Sequence, residues 1–261
     1  MERIVVVGAG HMGSVVVRGL LDGMPQVEVV IVEPSAERRA TLDSRAEAVA
    51  AYEPRPDDLL VLAIPPQAFD SFADGLPHGA CAETIVVSIM AGVRLETLAS
   101  ALDTGRVLRA MPNLASRVGQ SMTVLCPGEQ VPAAGVDRAK AALSVIGKVL
   151  VVQDESLLDA ATAVAGSGPA LVAYLAQSFT DFARGAGFTP DDALLLTTQV
   201  LRGTADVLAE PAVTPQSLYR QASTPNGTTA EGIATLREHR VGESVRTALE
   251  ATTERARELA G

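Results

Sequence analysis

The chain has 261 residues, of which 48% are hydrophobic and 20% charged, and its formal net charge is −10 at pH 7. This length supports one large domain or two small ones with a sizeable core, and the composition is typical of globular proteins. The acidic balance excludes the basic surface that a nucleic-acid partner needs.

Cysteine usage and the N-terminal sequence set further limits. Cys81 and Cys126 have neither metal-ligand nor disulfide spacing, so we expect two reduced packing residues and no metal site. The N-terminus lacks the basic and apolar regions of an export signal, and no apolar run approaches the ~20 residues of a membrane span. We therefore expect a cytoplasmic protein with no membrane partner.

The first predicted elements surround a glycine motif. An apolar β-branched run at 4–7 predicts a buried strand, Gly8-Ala9-Gly10-His11-Met12-Gly13 follows, and residues 14–21 predict a helix. In this order Gly8 permits a tight turn, Gly10 lets the backbone approach a pyrophosphate, and Gly13 lets the helix lie close to the strand. The alternative is a glycine-rich turn without a ligand, but the context favours a dinucleotide on the helix N-terminus.

A carboxylate follows the second predicted strand at 27–32. Glu33 lies 33 − 13 = 20 residues after the last glycine of the motif, where it can accept hydrogen bonds from a ribose. Glu33 would repel the 2′-phosphate of NADP, which favours NAD, whereas Ser35, Arg38 and Arg39 could bind that phosphate. The sequence leaves both NADH and NADPH open.

The chain then alternates strands and helices as far as residue 154. Predicted strands lie at 49–52, 59–64, 84–89, 106–111, 121–126 and 148–152, and predicted helices at 36–48, 67–76, 95–102 and 136–146. This alternation predicts an α/β domain at 1–154, a Rossmann-type doubly wound and mostly parallel sheet.

Residues 155–261 predict a second, all-helical domain. Its predicted helices lie at 156–164, 170–186, 191–208, 215–222, 228–239 and 241–259, and Gly166-Ser167-Gly168-Pro169 is expected to end one helix and start another. Residues 170–183 and 193–208 are apolar around much of the helix circumference, and a domain of this size offers little room to bury them. We therefore expect a homodimer through these helices; the alternative is a dense monomeric bundle.

The second domain is poor in proton-transfer groups. The only lysines of the chain are Lys140 and Lys148, and the only histidine of the second domain is His239. Reduction of a ketone normally needs a positioned acid, whereas an imine nitrogen is basic enough to be protonated in water. The absence of lysine thus favours imine reduction and disfavours a hydroxy-acid dehydrogenase.

Two turns are candidate substrate-binding segments. The turn at 224–229 precedes a predicted helix, and Thr228 with Glu231 fits a capping box, which would be a purely structural use. Together with the break at 166–169, it predicts two helix N-termini whose free N–H groups suit a small carboxylate.

On these residues the chain resembles the pyrroline-5-carboxylate reductase family over nearly its whole length. The most specific segments are the glycine motif, Arg109-Ala110-Met111-Pro112-Asn113, Glu155 with Asp159 and Thr162, the 165–170 break, and the 225–229 turn. The resemblance implies reduction of the cyclic imino acid Δ1-pyrroline-5-carboxylate to proline with NADPH or NADH. It also implies intertwined homodimers, often assembled further into rings.

The resemblance also implies roles for individual residues. Thr229 would be the catalytic hydroxyl that bonds the imine nitrogen, the backbone of Gly227 and Thr228 would hold the substrate carboxylate, and Glu155 would line the same pocket. That pocket would lie between the two domains. Cofactor contacts would come from Gly8, Gly10, His11, Met12, Gly13, Glu33, Ser35, Ala63, Ile64 and Ala91.

The chain departs from the family pattern at several positions. Pro65 stands where the family usually has lysine, Leu114 and Ala115 replace threonine and proline, and the substrate turn has Asn226 where the pattern has glycine. These departures keep two alternatives open: a reductase of a different cyclic imine, or a dinucleotide-binding regulatory protein without catalysis.

Overall fold

The computed structural model describes residues 2–260 and divides them into two compact units. One unit contains the described residues up to Ser167 together with those from Thr252 onwards. The other contains Gly168–Ala251.

Eight strands of the first unit form one sheet in the order β3-β2-β1-β4-β5-β6-β7-β8. Every neighbouring pair is parallel except β6 with β7, which confirms the predicted mostly parallel, doubly wound sheet. The strands are β1 Arg3–Val7, β2 Glu28–Val32, β3 Glu47–Val49, β4 Leu59–Leu62, β5 Ile85–Ser88, β6 Val107–Met111, β7 Ser121–Pro127 and β8 Gly147–Val151.

Both faces of the central strands are buried, because side chains alternate between two apolar layers. Ile4 and Val6 of β1 belong to one layer, and Val5 and Val7 belong to the other. The helices that cover the sheet are α1 His11–Gly23, α2 Ala36–Arg39, α3 Phe69–Asp74, α4 Leu95–Ala101, α5 Ala133–Ser144 and the short α6 Leu157–Ala161. Cys81 is free and buried in the second layer, and Cys126 is free and buried in a smaller apolar cluster with Val124 and Leu158, as expected of packing residues.

The predicted helix at 36–48 and the predicted strand at 49–52 were wrong. The helix ends after four residues, and the strand occupies Glu47–Val49. Asp43 accepts the backbone N–H of Arg45 at 3.0 Å and pairs with its guanidinium at 2.7 Å, which lowers the pKa of Asp43 to about 2. This local side-chain turn competes with helical hydrogen bonding and ends the helix.

The predicted break at 166–169 is confirmed: one helical stretch ends at Gly166, Ser167 is a bend, and a new helix begins at Gly168. Residues Thr162–Gly166 form a π turn, in which the N–H of Ser167 donates to the carbonyl of Thr162 at 2.8 Å. Gly166 ends the π turn, and Gly168 and Pro169 form the start of the next helix, where proline is well tolerated.

The second unit consists of helices among its described residues, which confirms the all-helical prediction. They are α7 Gly168–Gly185, α8 Pro190–Leu208, α9 Pro215–Gln221, α10 Thr228–Glu238 and α11 Val241–Ala260, of which the last continues into the first unit.

Large apolar side chains of the second unit lie exposed. Tyr174 is 78% exposed, Phe182 79% and Leu195 65%, whereas α7 buries only Ala183 among its described residues. The helical run Leu157–Gly185 is long and apolar enough to cross a membrane by length and composition, with a mean hydropathy of 1.2 and 11% burial. Those two criteria do not separate a membrane span from a helix that packs against a partner chain.

Candidate active site

The predicted cofactor residues come together at one edge of the sheet. Strands β2, β1, β4 and β5 are parallel neighbours, so their carboxyl ends lie side by side. Glu33 and Ser35 follow β2, and the glycine motif follows β1. Ala63 and Ile64 follow β4, and Ala91 lies beyond β5.

Each glycine of the motif has a different structural environment. Gly8 has a positive φ of 100°, and a Cβ there would lie 2.7 Å from the carbonyl oxygen of Ala63. A Cβ on Gly13 would overlap the carbonyl oxygen of Gly8. A Cβ on Gly10 would have no neighbour within 4 Å, so packing does not require glycine there. Open space at Gly10 fits the close approach of a pyrophosphate.

The first turn of α1 faces the same open space. Gly10 is the N-cap in extended conformation, and no side chain caps the helix within the described residues. The N–H groups of His11 and Met12 therefore remain available, and the helix dipole adds positive potential. This arrangement fits the phosphates of a dinucleotide.

The carboxylate of Glu33 is held in place after the end of β2. Its side chain is buried, Oε1 accepts the N–H of Ser35 at 3.0 Å, and Oε2 lies 3.6 Å from the guanidinium of Arg38. The guanidinium of Arg39 donates to the backbone carbonyls of Glu33 and Pro34. These hydrogen bonds use Arg39 in the local backbone structure. The Arg38 side chain is 68% exposed, so it can also reach an anion.

A cleft of about 790 Å³ next to the glycine motif contains two arginines that the sequence analysis missed. Arg18 and Arg117 line it together with Gly10, His11 and Arg38. Arg18 lies seven residues after His11 on the same helix, so helical spacing could have indicated it. Arg117 comes from the connection between β6 and β7, and no local pattern points to it.

Glu155 lies in the first unit, and its carboxylate is both hydrogen-bonded and ion-paired. Its Oε1 accepts the backbone N–H of Leu95 at 2.9 Å and forms an ion pair with Arg109 of β6. It lines a cleft of about 490 Å³ that also contains Cys126. The carboxylate therefore ties α6 to β6 and α4 in the structure described here.

Both cysteines are buried thiols with raised pKa values. Burial, together with the charge of Glu155, raises the pKa of the Cys126 thiol to about 11. Burial likewise raises the pKa of Cys81 to about 11. Both thiols are protonated at neutral pH. Within residues 2–260, no group of three or more metal-ligating side chains is present.

The predicted substrate turn lies in the second unit and starts α10. The N–H of Gly227 donates to the carbonyl of Thr224 at 2.9 Å, and a Cβ on Gly227 would overlap the Thr224 hydroxyl. Gly227 is the N-cap, so the predicted capping box of Thr228 and Glu231 was wrong: Thr228 is already helical. The hydroxyls of Thr228 and Thr229 are exposed and are not used as caps.

Asn226 explains one departure from the family pattern. Its φ is +59°, in the left-handed region where glycine is favoured and asparagine is the best-tolerated substitute. The turn therefore keeps its backbone conformation with Asn226 in place of glycine, while it gains an exposed amide side chain.

Two family models match different parts of the chain. The model described as pyrroline-5-carboxylate reductase dimerisation matches residues 155–259. The model described as NADP oxidoreductase, coenzyme F420-dependent, matches residues 3–92. The second match covers β1, α1 and β2, which carry the glycine motif and Glu33.

Individual relatives match the whole chain. The pyrroline-5-carboxylate reductase of Pseudomonas aeruginosa is 35% identical, with 99% of this chain and 97% of that protein covered. The pyrroline-5-carboxylate reductase of Methanosarcina acetivorans is 33% identical over 99% and 98% of the two chains. The solved structure of a pyrroline-5-carboxylate reductase from Coxiella burnetii has a TM-score of 0.93 at 26% identity, covering 100% and 99%.

The different environments of Gly10 and Gly13 give opposite expectations for alanine. Gly10→Ala should leave the free energy of unfolding unchanged while it weakens NADPH binding about tenfold or more, because its Cβ enters ligand space. Gly13→Ala should lower the free energy of unfolding by about 1–3 kcal/mol, because its Cβ overlaps backbone. Urea unfolding and NADPH titration measure the two effects. If both variants lowered the free energy of unfolding equally, Gly10 would not serve ligand binding alone, and the prediction would be contradicted.

The positive φ of Asn226 predicts a second difference between variants. Asn226→Ala should lower the free energy of unfolding by about 1 kcal/mol, because alanine lacks the left-handed tolerance of asparagine. Asn226→Gly should cost nothing or stabilise the turn. Thermal unfolding of both variants at one protein concentration measures this, and an alanine variant as stable as the glycine variant would contradict the assignment.

Proposed function

This chain belongs to the pyrroline-5-carboxylate reductase family, and from that premise we propose that it reduces Δ1-pyrroline-5-carboxylate to proline with NAD(P)H. It is an oxidoreductase that acts on a C=N bond and serves the last step of proline biosynthesis. The observation that carries the proposed chemistry is the exposed, uncapped start of α10, with Thr229 in its first turn, in a unit that contains no lysine.

The cofactor edge fits a dinucleotide by the geometry of its own residues. The open position at Gly10 and the uncapped first turn of α1 would hold the pyrophosphate, and Glu33 would accept hydrogen bonds from the ribose. Ala63, Ile64 and Ala91 would line the path toward the nicotinamide at the ends of β4 and β5. When bound, the reduced nicotinamide supplies the hydride.

The substrate would be held and oriented by the turn before α10. The backbone N–H groups of Gly227 and Thr228 would bind the carboxylate, as a helix N-terminus does for small anions. The hydroxyl of Thr229 would bond the imine nitrogen, and the imine needs no further acid because it is protonated in water. Glu155 would line the same pocket while Arg109 holds its carboxylate. Orientation of two reactants would supply much of the acceleration.

Both reduced cofactors should be accepted. The carboxylate of Glu33 is fixed by the N–H of Ser35, so it can accept hydrogen bonds from the 2′-hydroxyl of NADH. Arg38 is mostly exposed beside it and can pair with the 2′-phosphate of NADPH. Neither group excludes the other cofactor.

We propose that residues 1–154 form the dinucleotide-binding domain and that the helices of residues 155–261 form the interface of a homodimer. Several such dimers would assemble further into a ring. The exposed Tyr174, Phe182 and Leu195 support a partner chain on α7 and α8. We propose that the dimer works in the cytoplasm as a biosynthetic enzyme.

Turnover by the purified protein tests the function directly. Oxidation of NADPH and NADH should be fast with pyrroline-5-carboxylate and much slower with the six-membered piperideine analogue. Turnover on the six-membered ring alone would favour the alternative, a reductase of a different cyclic imine. The amide of Asn226 could then contribute to the binding of that substrate. Binding of NADPH without turnover on either imine would favour the regulatory protein.

Thr229→Ala should lower kcat on the order of 100-fold, because the protonated imine nitrogen loses the hydroxyl oxygen that accepts its N–H. The affinity for NADPH should stay within about twofold, since Thr229 contacts no cofactor in this proposal. Thr235→Ala is the matched control, because the Thr235 hydroxyl on the same helix donates only to the carbonyl of Glu231. A Thr229→Ala enzyme with wild-type kcat would remove this residue from the mechanism.

The dimer has its own test. Phe182→Glu should give a monomer in analytical ultracentrifugation, because it places a charge on an apolar side chain that is 79% exposed in the single chain. Leu150→Glu is the control, since Leu150 is 51% exposed on the edge strand β8 outside the helices. If both variants remain dimers, α7 does not form the interface around Phe182.

A further inference from the structure

Asn113 is a buried residue with all its polar groups hydrogen-bonded. It lies two residues after the end of β6 and is 8% exposed. Its backbone N–H donates to Ser121 Oγ at 3.0 Å, and its carbonyl accepts the N–H of Ser116 at 3.1 Å. Its side-chain Oδ1 accepts the N–H of Ala115 at 2.9 Å, and Nδ2 donates to the carbonyl of Ala165 at 2.9 Å.

The contact with Ala165 compensates for a missing donor in the helix. In a regular α-helix, the carbonyl of residue 165 accepts the N–H of residue 169. Pro169 has no N–H, and the π turn before it rearranges the neighbouring hydrogen bonds. Ala165 is 8% exposed, and a buried carbonyl without a partner costs about 1–3 kcal/mol. The amide of Asn113 therefore gives this carbonyl a donor that Pro169 cannot provide.

Met111 supports the same turn by apolar packing. A Cβ on Gly166 would lie 2.7 Å from the terminal methyl group of Met111. The end of β6 thus fixes the π turn through one hydrogen bond and one close apolar contact. Turns of this type are frequent at functional sites.

The segment that Asn113 starts also contacts the cofactor motif. Residues Leu114–Val118 form a 3-10 turn, and Asn113 caps it through Oδ1. Within it Ser116 is 4% exposed, and its hydroxyl donates to Met12 Sδ at 3.5 Å. Met12 lies in the first turn of α1. A continuous set of contacts therefore joins the glycine motif to the π turn, with Asn113 in the middle.

We propose that Asn113 is a positioning residue for the reduction, acting through the π turn that precedes α7. The inference rests on the proposed function, in which one unit binds the cofactor and the other carries Thr229. Asn113 touches neither reactant. Within the first unit it holds the π turn in place relative to the cofactor motif, and hydride transfer is sensitive to displacements of about 1 Å.

Asn113→Asp tests the amide donor with little change of shape. The variant keeps the oxygen that accepts the Ala115 N–H and replaces Nδ2 with an oxygen facing the Ala165 carbonyl. We expect kcat with pyrroline-5-carboxylate to fall about tenfold or more, while the Kd of NADPH stays within about twofold and the dimer persists. The chain has no tryptophan, so NADPH fluorescence measures the Kd without that background.

Gln120→Glu is the matched control, because it introduces the same charge in the same segment at an exposed side chain. It should keep wild-type kcat. Adding Pro169→Ala to Asn113→Asp should recover part of the lost kcat, because alanine restores an N–H for the Ala165 carbonyl. A double variant no faster than Asn113→Asp would contradict the link through Ala165.

The remaining outcomes separate the inference from the proposed function. An Asn113→Asp enzyme with wild-type kcat, or one whose kcat falls in step with NADPH affinity or dimer content, would overturn the positioning role. A wild-type protein without turnover would contradict the proposed function, and this inference with it. If Asn113→Asp does not fold, Gly166→Ala disturbs the same turn through Met111 and should show the same loss of kcat at unchanged NADPH affinity.

Discussion

The close approach of the first helix to the first strand determines the geometry of the whole cofactor edge. The backbone of α1 at Gly13 lies against the carbonyl of Gly8, at a distance that no side chain allows. This contact places the first turn of α1 at the carboxyl end of β1. Because β2, β4 and β5 run parallel to β1, Glu33, Ala63 and Ala91 end at the same edge. The steric contact thus places the helix, and the parallel sheet brings groups from four strands to the same edge.

Long, strongly periodic segments could be predicted from the sequence, and short ones could not. The apolar runs predicted the positions of β1, β2 and β4 to within a few residues, and the long predicted helices at 191–208 and 241–259 match α8 and α11. The region 36–48 failed because a turn around Asp43 outcompetes helix propensity. Near Pro169 the carbonyl of Ala165 accepts a hydrogen bond from the side chain of Asn113, a residue that is distant in the sequence. No local pattern contains that information.

The same distinction applies to the site. The glycine motif and Glu33 are local patterns with fixed spacing, so the sequence places them at one sheet edge. Arg117 and Asn113 acquire their surroundings from the connection after β6, which only the tertiary structure shows. Asn226 is an intermediate case: the departure from glycine is visible in the sequence, whereas its positive φ, which explains why asparagine is acceptable, is a property of the folded turn.

The exposed apolar helices have a consequence for how stability must be described. When folded units are completed by a second chain, mass action enters the unfolding equilibrium, and the melting temperature rises with protein concentration. The exposed Tyr174 and Phe182 place this enzyme in that category if its helices pair as proposed. A newly made chain would expose these apolar side chains until it associates with a second chain. A low protein concentration would therefore favour the unpaired, less stable state. The stability of the protein would then depend on how much of it is present.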